Sequence, residues 1–159
     1  MNRLICLLAA TLVLPTAPAA ASELQSWDGR RTHTFDALKA PVRIVNLWAT
    51  WCAPCRKEMP EMSAWYRKQK KGSVDMVGIA FDSSEQISRF LKQTPVAYPV
   101  WRYAGTSSRS YMKTLGNQVG VLPFTLIEMP KCGYRQAITG EVNAVVLTQA
   151  VAAAKAKCR

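Results

Sequence analysis

Two cysteines three residues apart, Cys52 and Cys55, are the residues whose type and spacing best support chemistry. They follow an apolar run, 42–48, that predicts a buried strand, and they open a segment, 53–70, that predicts a helix. The N-terminus of a helix carries unpaired N–H groups and positive partial charge, which stabilise a thiolate. Because the thiolate is the nucleophile in disulfide exchange, the pair predicts a dithiol/disulfide centre. We expect no cofactor other than these two cysteines.

The two cysteines are expected to have different roles. Cys52 stands at the expected N-cap and is predicted to attack, whereas Cys55 lies one turn further in, where it can resolve a mixed disulfide. Pro54 restricts the turn between them and lacks an N–H, so we expect it to tune their redox stability. The alternative is half of a zinc site, but the remaining pair, Cys132 and Cys158, is 26 residues apart and forms no knuckle. We therefore expect no metal.

The N-terminal 21 residues predict a secretory signal peptide. Arg3 precedes an apolar run, 4–14, and a stretch of small residues, 15–21. The apolar run is too short to span a bilayer. We expect cleavage after Ala21, export to the periplasm, and one domain over 22–159. The alternative is an uncleaved N-terminal membrane anchor.

Export determines how the other cysteines are interpreted. An even number of cysteines in an oxidising compartment predicts two disulfides. Cys52–Cys55 is the labile candidate, and Cys132–Cys158 is predicted to be structural, because the turn at Cys132 and the end of the last helix are expected at the same end of the sheet. A second redox pair or an intermolecular link is the alternative for Cys132 and Cys158.

The chain is strongly basic, with a formal net charge of +11 over 159 residues. This balance favours anionic lipid headgroups or acidic partner surfaces, so association with a membrane surface is one expectation. The densest cluster of cations, 67–71, can equally be the solvated end of a helix, where positive charge suits the dipole. We expect no nucleic acid partner, because no motif for one is present.

The pattern of apolar residues predicts alternating strands and helices. Besides the segments above, the predicted elements are a hairpin over 26–35, a strand over 74–81, a helix starting near Ser83, an extended segment over 95–101, a helix over 107–115, a strand over 124–129, a returning strand over 134–138 and a helix over 143–157. Pro99 places the extended segment at a sheet edge. This order predicts an α/β domain with a mixed sheet and helices on both faces.

Residues 45–60, VNLWATWCAPCRKEMP, resemble the signature of the thioredoxin superfamily. More narrowly, they are similar to its exported bacterial branch, the TlpA-like, ResA-like and cytochrome-c-maturation thiol–disulfide oxidoreductases. The resemblance implies a thioredoxin fold, with a central mixed sheet flanked by helices and an N-terminal hairpin. It also implies a helix–strand insertion at about 82–103.

The resemblance further implies a function. Members of this branch are periplasmic reductases of protein disulfides that are themselves reduced by a transmembrane thiol donor. Implied clients are cysteines of haem-binding or copper-binding proteins, or periplasmic disulfides more broadly. Trp51 would shield the cysteine pair and offer an aromatic contact. The alternatives are a disulfide-donating oxidase of the same fold, a non-catalytic binding or chaperone module, and metal handling through the thiols.

Pro123, within 119–125, matches the cis-proline of the family, and the backbone of Leu122 would then pair with a substrate strand. An ordinary trans proline is the alternative. The chain departs from the family pattern at Val121, where glycine is usual. It also lacks the acidic residue that many cytochrome-maturation members carry after the proline.

Glu58 matches a glutamate that this branch uses near the cysteines. It could accept the proton of Cys55 if burial raises its pKa. Asn46 stands where cytoplasmic thioredoxins place a buried carboxylate, and an amide cannot take that proton. The alternative is that Glu58 is a solvent-exposed residue of the first turn, favoured there by the helix dipole.

Overall fold

A computed structural model describes residues 23–158 of the chain. The predicted signal peptide, residues 1–21, lies outside the described residues. Among residues 23–158, no helix is both long enough and apolar enough to cross a membrane.

The described residues form a mixed sheet and four α-helices, as predicted. The strands are β1 (Leu24–Ser26), β2 (Thr32–His33), β3 (Val42–Trp48), β4 (Val74–Ala80), β5 (Val100–Tyr103), β6 (Phe124–Met129) and β7 (Tyr134–Thr139). The helices are α1 (Ala53–Arg67), α2 (Ser84–Gln93), α3 (Ser108–Thr114) and α4 (Ala144–Lys157). The strand order is β2-β1-β5-β4-β3-β6-β7. Strands β3, β4 and β5 are parallel, and the other pairings are antiparallel.

Strand β3 lies between β4 and β6 and is covered on both faces. Val42 and Ile44 pack with side chains of α1 and α4, whereas Val45 and Leu47 pack with side chains of α3. Because neither face meets water, the strand is apolar at nearly every position instead of alternating. This explains why its predicted bounds match the structure.

The predicted N-terminal hairpin is formed by β1 and β2. Its turn contains Gly29 with φ +75°, a conformation that favours glycine. The predicted insertion is formed by α2 and β5. Helix α2 begins with a capping box in which Ser83 and Gln86 each satisfy the other's backbone N–H.

Two sequence predictions about element positions are wrong. The segment 95–101 is not an edge strand, because β5 starts at Val100 and lies between β1 and β4. Pro99 precedes the strand, and its carbonyl accepts a hydrogen bond from the Gly78 N–H (3.0 Å), so no donor is required of the proline. Helix α1 ends at Arg67, three residues earlier than expected.

The sheet has two functionally different ends. At one end β3, β4 and β5 finish and α1 begins, and we call this the Cys52 edge. At the other end β6 finishes at Met129, and α1 and α4 have their C-termini there; we call this the Cys132 edge. Six residues of β6 separate the two edges, which corresponds to about 20 Å.

Candidate active site

Cys52 is the N-cap of α1. Its backbone is extended, with φ −82° and ψ 102°, and its Sγ accepts a hydrogen bond from the Cys55 N–H at 3.3 Å. The two cysteines are joined by a disulfide with Cα atoms 5.3 Å apart. Pro54 lies in the first turn and has no N–H to offer the sulfur. The positive end of α1 is therefore directed at Cys52. The N–H of Cys55 is the backbone donor that reaches its sulfur.

The two sulfurs differ in access. Cys52 is 5% exposed and Cys55 is fully buried, so an incoming client sulfur can reach only Cys52. The side chain of Trp51, beside Cys52, is 69% exposed and is available to a partner. The structure therefore gives the two cysteines the order of access that the sequence predicts.

The loop before β6 contains the cis-proline that the resemblance implies. The Leu122–Pro123 peptide bond is cis. Buried Asn117 holds this loop: its Oδ1 accepts from the N–H groups of Gly120 (2.9 Å) and Val121 (3.3 Å), and its Nδ2 donates to the Val121 carbonyl (2.7 Å). The side chain of Leu122 packs against the cluster that includes both active-site cysteines.

The backbone of Leu122 is free to pair with another chain. Asn117 occupies the backbone groups of Val121, and the Pro123 carbonyl accepts from the Gly140 N–H at 2.9 Å. By contrast, no group among residues 23–158 hydrogen-bonds to the backbone of Leu122. Unpaired N–H and C=O groups are what an incoming strand requires.

Glu58 is buried in α1, one turn after Cys55. Asn46 Nδ2 donates to Glu58 Oε1 and the Val142 N–H donates to Oε2, both at 2.8 Å. Burial raises the pKa of Glu58 to about 7 despite these two bonds, and the nearby charge of Glu141 adds to the increase. Glu58 is thus not the solvent-exposed residue that was the alternative.

A small cavity lies beside Glu58. It has a volume of about 200 Å³, and Glu58, Lys57 and Glu141 are among its lining residues. Lys57 Nζ and Glu141 Oε2 form an ion pair at 2.7 Å beside it.

Asn46 links Glu58 to β6, since its Nδ2 also donates to Thr125 Oγ1 at 3.1 Å. Asn46 stands at the position where cytoplasmic thioredoxins place a buried carboxylate. In this chain the buried titratable group is the neighbouring Glu58. Sequence reasoning missed Thr125, Val142 and Asn117. They carry no motif, and their roles arise only from contacts between distant segments.

Residues 15–125 match a family profile described as the AhpC/TSA family, and this match covers more than half of the chain. The chain belongs to the AhpC/TSA family, within the thioredoxin superfamily. A solved structure, that of a thioredoxin-related protein from Neisseria meningitidis serogroup B, is 67% identical, with a TM-score of 0.82 over 84% of this chain and 99% of that one. The predicted thioredoxin-like fold is therefore confirmed.

Curated relatives of this AhpC/TSA-family chain carry the name thiol-disulfide oxidoreductase ResA. The protein from Bacillus subtilis is 35% identical over 121 residues, which are 76% of this chain and 64% of the relative. The protein from Bacillus cereus is 34% identical over 102 residues, which are 63% of this chain and 55% of the relative. The chain spans about half the length of the first of these curated relatives.

This AhpC/TSA-family chain has a second disulfide, between Cys132 and Cys158. Cys132 lies in a short turn after β6, and Cys158 caps the end of α4. Both are at the Cys132 edge and take no part in the site. Within the described residues, no group of three or more histidine, cysteine or acidic side chains is arranged to hold a metal ion.

Proposed function

We propose that this chain is a protein thiol–disulfide oxidoreductase that works through Cys52 and Cys55, with no other cofactor. The observation that carries the proposal is the position of the disulfide: Cys52 caps α1, accepts an N–H from Cys55 and is the more exposed sulfur. The helix N-terminus stabilises the Cys52 thiolate once the pair is reduced. The names of the ResA relatives support the same activity.

In the reductase direction, the Cys52 thiolate attacks one sulfur of a client disulfide. The client's S–S bond breaks, a Cys52–client bond forms, and the second client sulfur leaves as a thiolate. Cys55 then loses its proton and attacks Cys52 Sγ. This closes the Cys52–Cys55 disulfide and releases the first client sulfur, so two electrons pass from the pair to the client.

Glu58 is proposed to accept the proton of Cys55. It follows Cys55 by three residues in α1, so both lie on roughly the same helix face. A pKa of about 7 suits a group that must take up and release a proton near neutrality. We propose that the proton leaves Glu58 through the cavity that it lines together with Lys57 and Glu141. This explains how the chain can work with an amide at Asn46.

The client is proposed to dock along the cis-proline loop. Its backbone next to the reacting cysteine pairs with the free N–H and C=O groups of Leu122, and Pro123 keeps that segment turned towards the sulfurs. Trp51 supplies an aromatic surface. This arrangement adds a short strand of the client to an exposed segment of the protein.

We further propose a periplasmic location, with a cleaved signal peptide over 1–21 and reduction by a membrane thiol donor. Clients would be exported proteins with haem-binding or copper-binding cysteines, or other periplasmic disulfides. The support is the N-terminal sequence and the resemblance to the exported branch. Val121, and Phe124 in place of an acidic residue after Pro123, argue against the cytochrome-maturation subgroup in particular.

Trapping clients tests the activity. Replacement Cys55→Ala leaves the attacking sulfur without its resolving partner, so mixed disulfides should accumulate on Cys52 in cells and disappear on reduction. The matched control Cys52→Ala should trap nothing. Trapping by neither variant would favour a non-catalytic binding module, and equal trapping by both would contradict the assignment of Cys52 as the attacking sulfur. Equilibration of the pair with glutathione decides the direction, because a strongly oxidising potential would indicate the disulfide-donating alternative.

Membrane association is proposed at the Cys132 edge. Seven exposed cations lie there at the ends of α1 and α4 and in the turn after β6, and none pairs with a carboxylate within residues 23–158. They are Arg67, Lys68, Lys70, Lys71, Lys131, Lys155 and Lys157. Such clusters favour anionic headgroups. Sedimentation with anionic vesicles should weaken when these cations are neutralised, and the same number of neutralised cations at the Cys52 edge should have less effect.

A further inference from the structure

The exposed apolar surface of the described chain is concentrated next to Cys52. Four large hydrophobic side chains are markedly exposed in residues 23–158, and three of them, Trp51 (69%), Val119 (68%) and Val121 (39%), lie around the Cys52 edge. Contiguous exposed apolar groups mark sites where a partner binds. The patch is therefore a candidate contact for the client chain.

A cavity of about 480 Å³ opens within this patch, between Trp51 and the cis-proline loop. We call it the Arg109 cavity. Its lining residues are Trp51, Phe81, Ser108, Arg109, Met112, Gly120, Val121 and Leu122. Successive side chains of a strand point to opposite sides. A client strand that pairs with Leu122 therefore directs a side chain near its cysteine into this cavity.

Arg109 is the one charged residue that lines the cavity. Its side chain is exposed and forms no ion pair within the described part of the chain. Its stem lies across Gly120, where a Cβ atom would be 3.6 Å from Arg109 Cγ and Nε. Gly120 has φ +78°, a backbone conformation that favours glycine. Arg109 thus lines the cavity, and its guanidinium group donates no hydrogen bond within residues 23–158.

An adjacent cavity has a lining residue of the opposite charge. A second cavity of about 490 Å³ shares Trp51, Phe81 and Ser108 with the Arg109 cavity, and its lining includes Asp82. The Asp82 carboxylate accepts the Thr50 N–H at 2.6 Å, which fixes it beside the active-site turn. The two adjacent cavities thus differ in charge, with Arg109 lining one and Asp82 lining the other.

We propose that the Arg109 cavity is a subsite for an acidic client side chain. The methylene groups of a glutamate or aspartate near the client cysteine contact Trp51 and Met112, and the carboxylate receives hydrogen bonds from Arg109. This inference rests on the proposed function and names its substrate class: disulfides with an acidic residue on the Arg109 side of the cysteine.

Two disulfide-bonded peptides test the subsite. They differ only by Glu or Lys at one position, and a set of such pairs covers the two residues on each side of the cysteine. The rate of reduction by the dithiol protein is followed at low ionic strength. At one position the Glu peptide should react about tenfold faster than the Lys peptide, as expected for a charge-assisted contact. Arg109→Gln should remove the preference and Arg109→Glu should reverse it.

Lys113→Gln is the matched control. It removes the same charge from the same helix, is exposed, and does not line the cavity. It should keep the preference, which separates a local contact from attraction by the overall positive charge. Rates within twofold at every position, or equal effects of Arg109→Gln and Lys113→Gln, would overturn the subsite. Client trapping distinguishes the two failures, because a Cys55→Ala variant that traps no client in cells disproves the proposed function and with it this inference.

Discussion

The two disulfides of this chain are similar cross-links in opposite surroundings. Their Cα–Cα distances are 5.3 Å for Cys52–Cys55 and 5.8 Å for Cys132–Cys158. Cys52 caps the N-terminus of α1, where the dipole favours a thiolate, whereas Cys158 caps the C-terminus of α4, where it does not. The positive charges of the lysines in the last turn of α4 offset part of the unfavourable effect of the helix dipole on a thiolate at Cys158.

The disulfides also differ in whether a buried acid lies nearby and in the length of the loop that they close. Cys55 is followed by the buried carboxyl of Glu58, and the Cys132 edge offers no comparable buried acid among residues 23–158. Cys52–Cys55 spans 3 residues and Cys132–Cys158 spans 26. A long loop constrains the unfolded chain and a short one does so much less. From these differences we predict that Cys52–Cys55 is the reactive disulfide and that Cys132–Cys158 is the stabilising one.

Removing the sulfurs of each pair should give the sharpest contrast. Cys52→Ala should reduce insulin reduction by at least about a thousandfold, because the attacking nucleophile is lost. The double replacement Cys132→Ala and Cys158→Ala should leave the rate within about twofold. A large loss in the double variant, once its fold is confirmed by circular dichroism, would assign the Cys132 edge to the redox chemistry.

Stability should show the reverse contrast. Loss of the Cys132–Cys158 cross-link should lower the free energy of unfolding by about 3 kcal/mol in the chain-entropy model. Urea unfolding of the double alanine variant, compared with wild type under oxidising conditions, measures the difference. A wild-type protein that is equally stable with and without reductant would contradict a stabilising role for this disulfide.

Glu58→Gln should change the pH dependence of the resolving step. With a pKa of about 7, Glu58 accepts a proton above neutrality and not below it, so the wild-type rate of mixed-disulfide resolution should rise through pH 7. The variant should be slower by about 100-fold at pH 8 and should lack this rise. Quenched-flow release of a labelled client peptide measures the step. An unchanged profile would mean that Cys55 loses its proton elsewhere.

The same substitution has a signature in stability. The folded pKa of Glu58, about 7, lies above the ordinary 4.5, so between these pH values the folded state holds a proton that the unfolded state releases. This contribution is fully present below pH 4.5, is lost as the pH rises to 7, and reaches about 3 kcal/mol at most. Glu58→Gln should remove this decline, and urea unfolding at pH 5 and pH 8 provides the check.

How far the sequence predicts this molecule depends on the range of the contacts involved. The bounds of β3 and β6 and the N-cap at Cys52 were predicted because local pattern determines them. The prediction that 95–101 lies at a sheet edge was wrong. The sequence does not show whether Pro99 is part of the strand or precedes it, and only a proline within the strand would disfavour pairing on both sides. Pro99 precedes β5, which pairs on both sides.

The candidate site divides in the same way. The cysteines are recognisable from three residues of spacing, whereas the burial of Glu58 depends on Val142, 84 residues away, and on Asn46 in β3. No local pattern indicates those contacts, so the sequence left the exposure of Glu58 open. The unpaired backbone of Leu122 could likewise not be predicted from the sequence. It depends on the hydrogen bonds of Asn117 to the backbone of the neighbouring Val121.

The smallest predicted effect concerns Pro54, which withholds an N–H from the first turn of α1. Pro54→Ala adds a donor near Cys52 Sγ, and a further hydrogen bond stabilises the thiolate of the reduced form. A bond of about 1 kcal/mol corresponds to a rise of about 20 mV in the reduction potential. Pro60→Ala, an exposed proline in the interior of the same helix, is the matched control and should leave the potential unchanged. Equilibration with glutathione measures both variants. A fall in potential for Pro54→Ala, or equal shifts for the two variants, would show that the positive end of α1 does not set the redox balance of the pair.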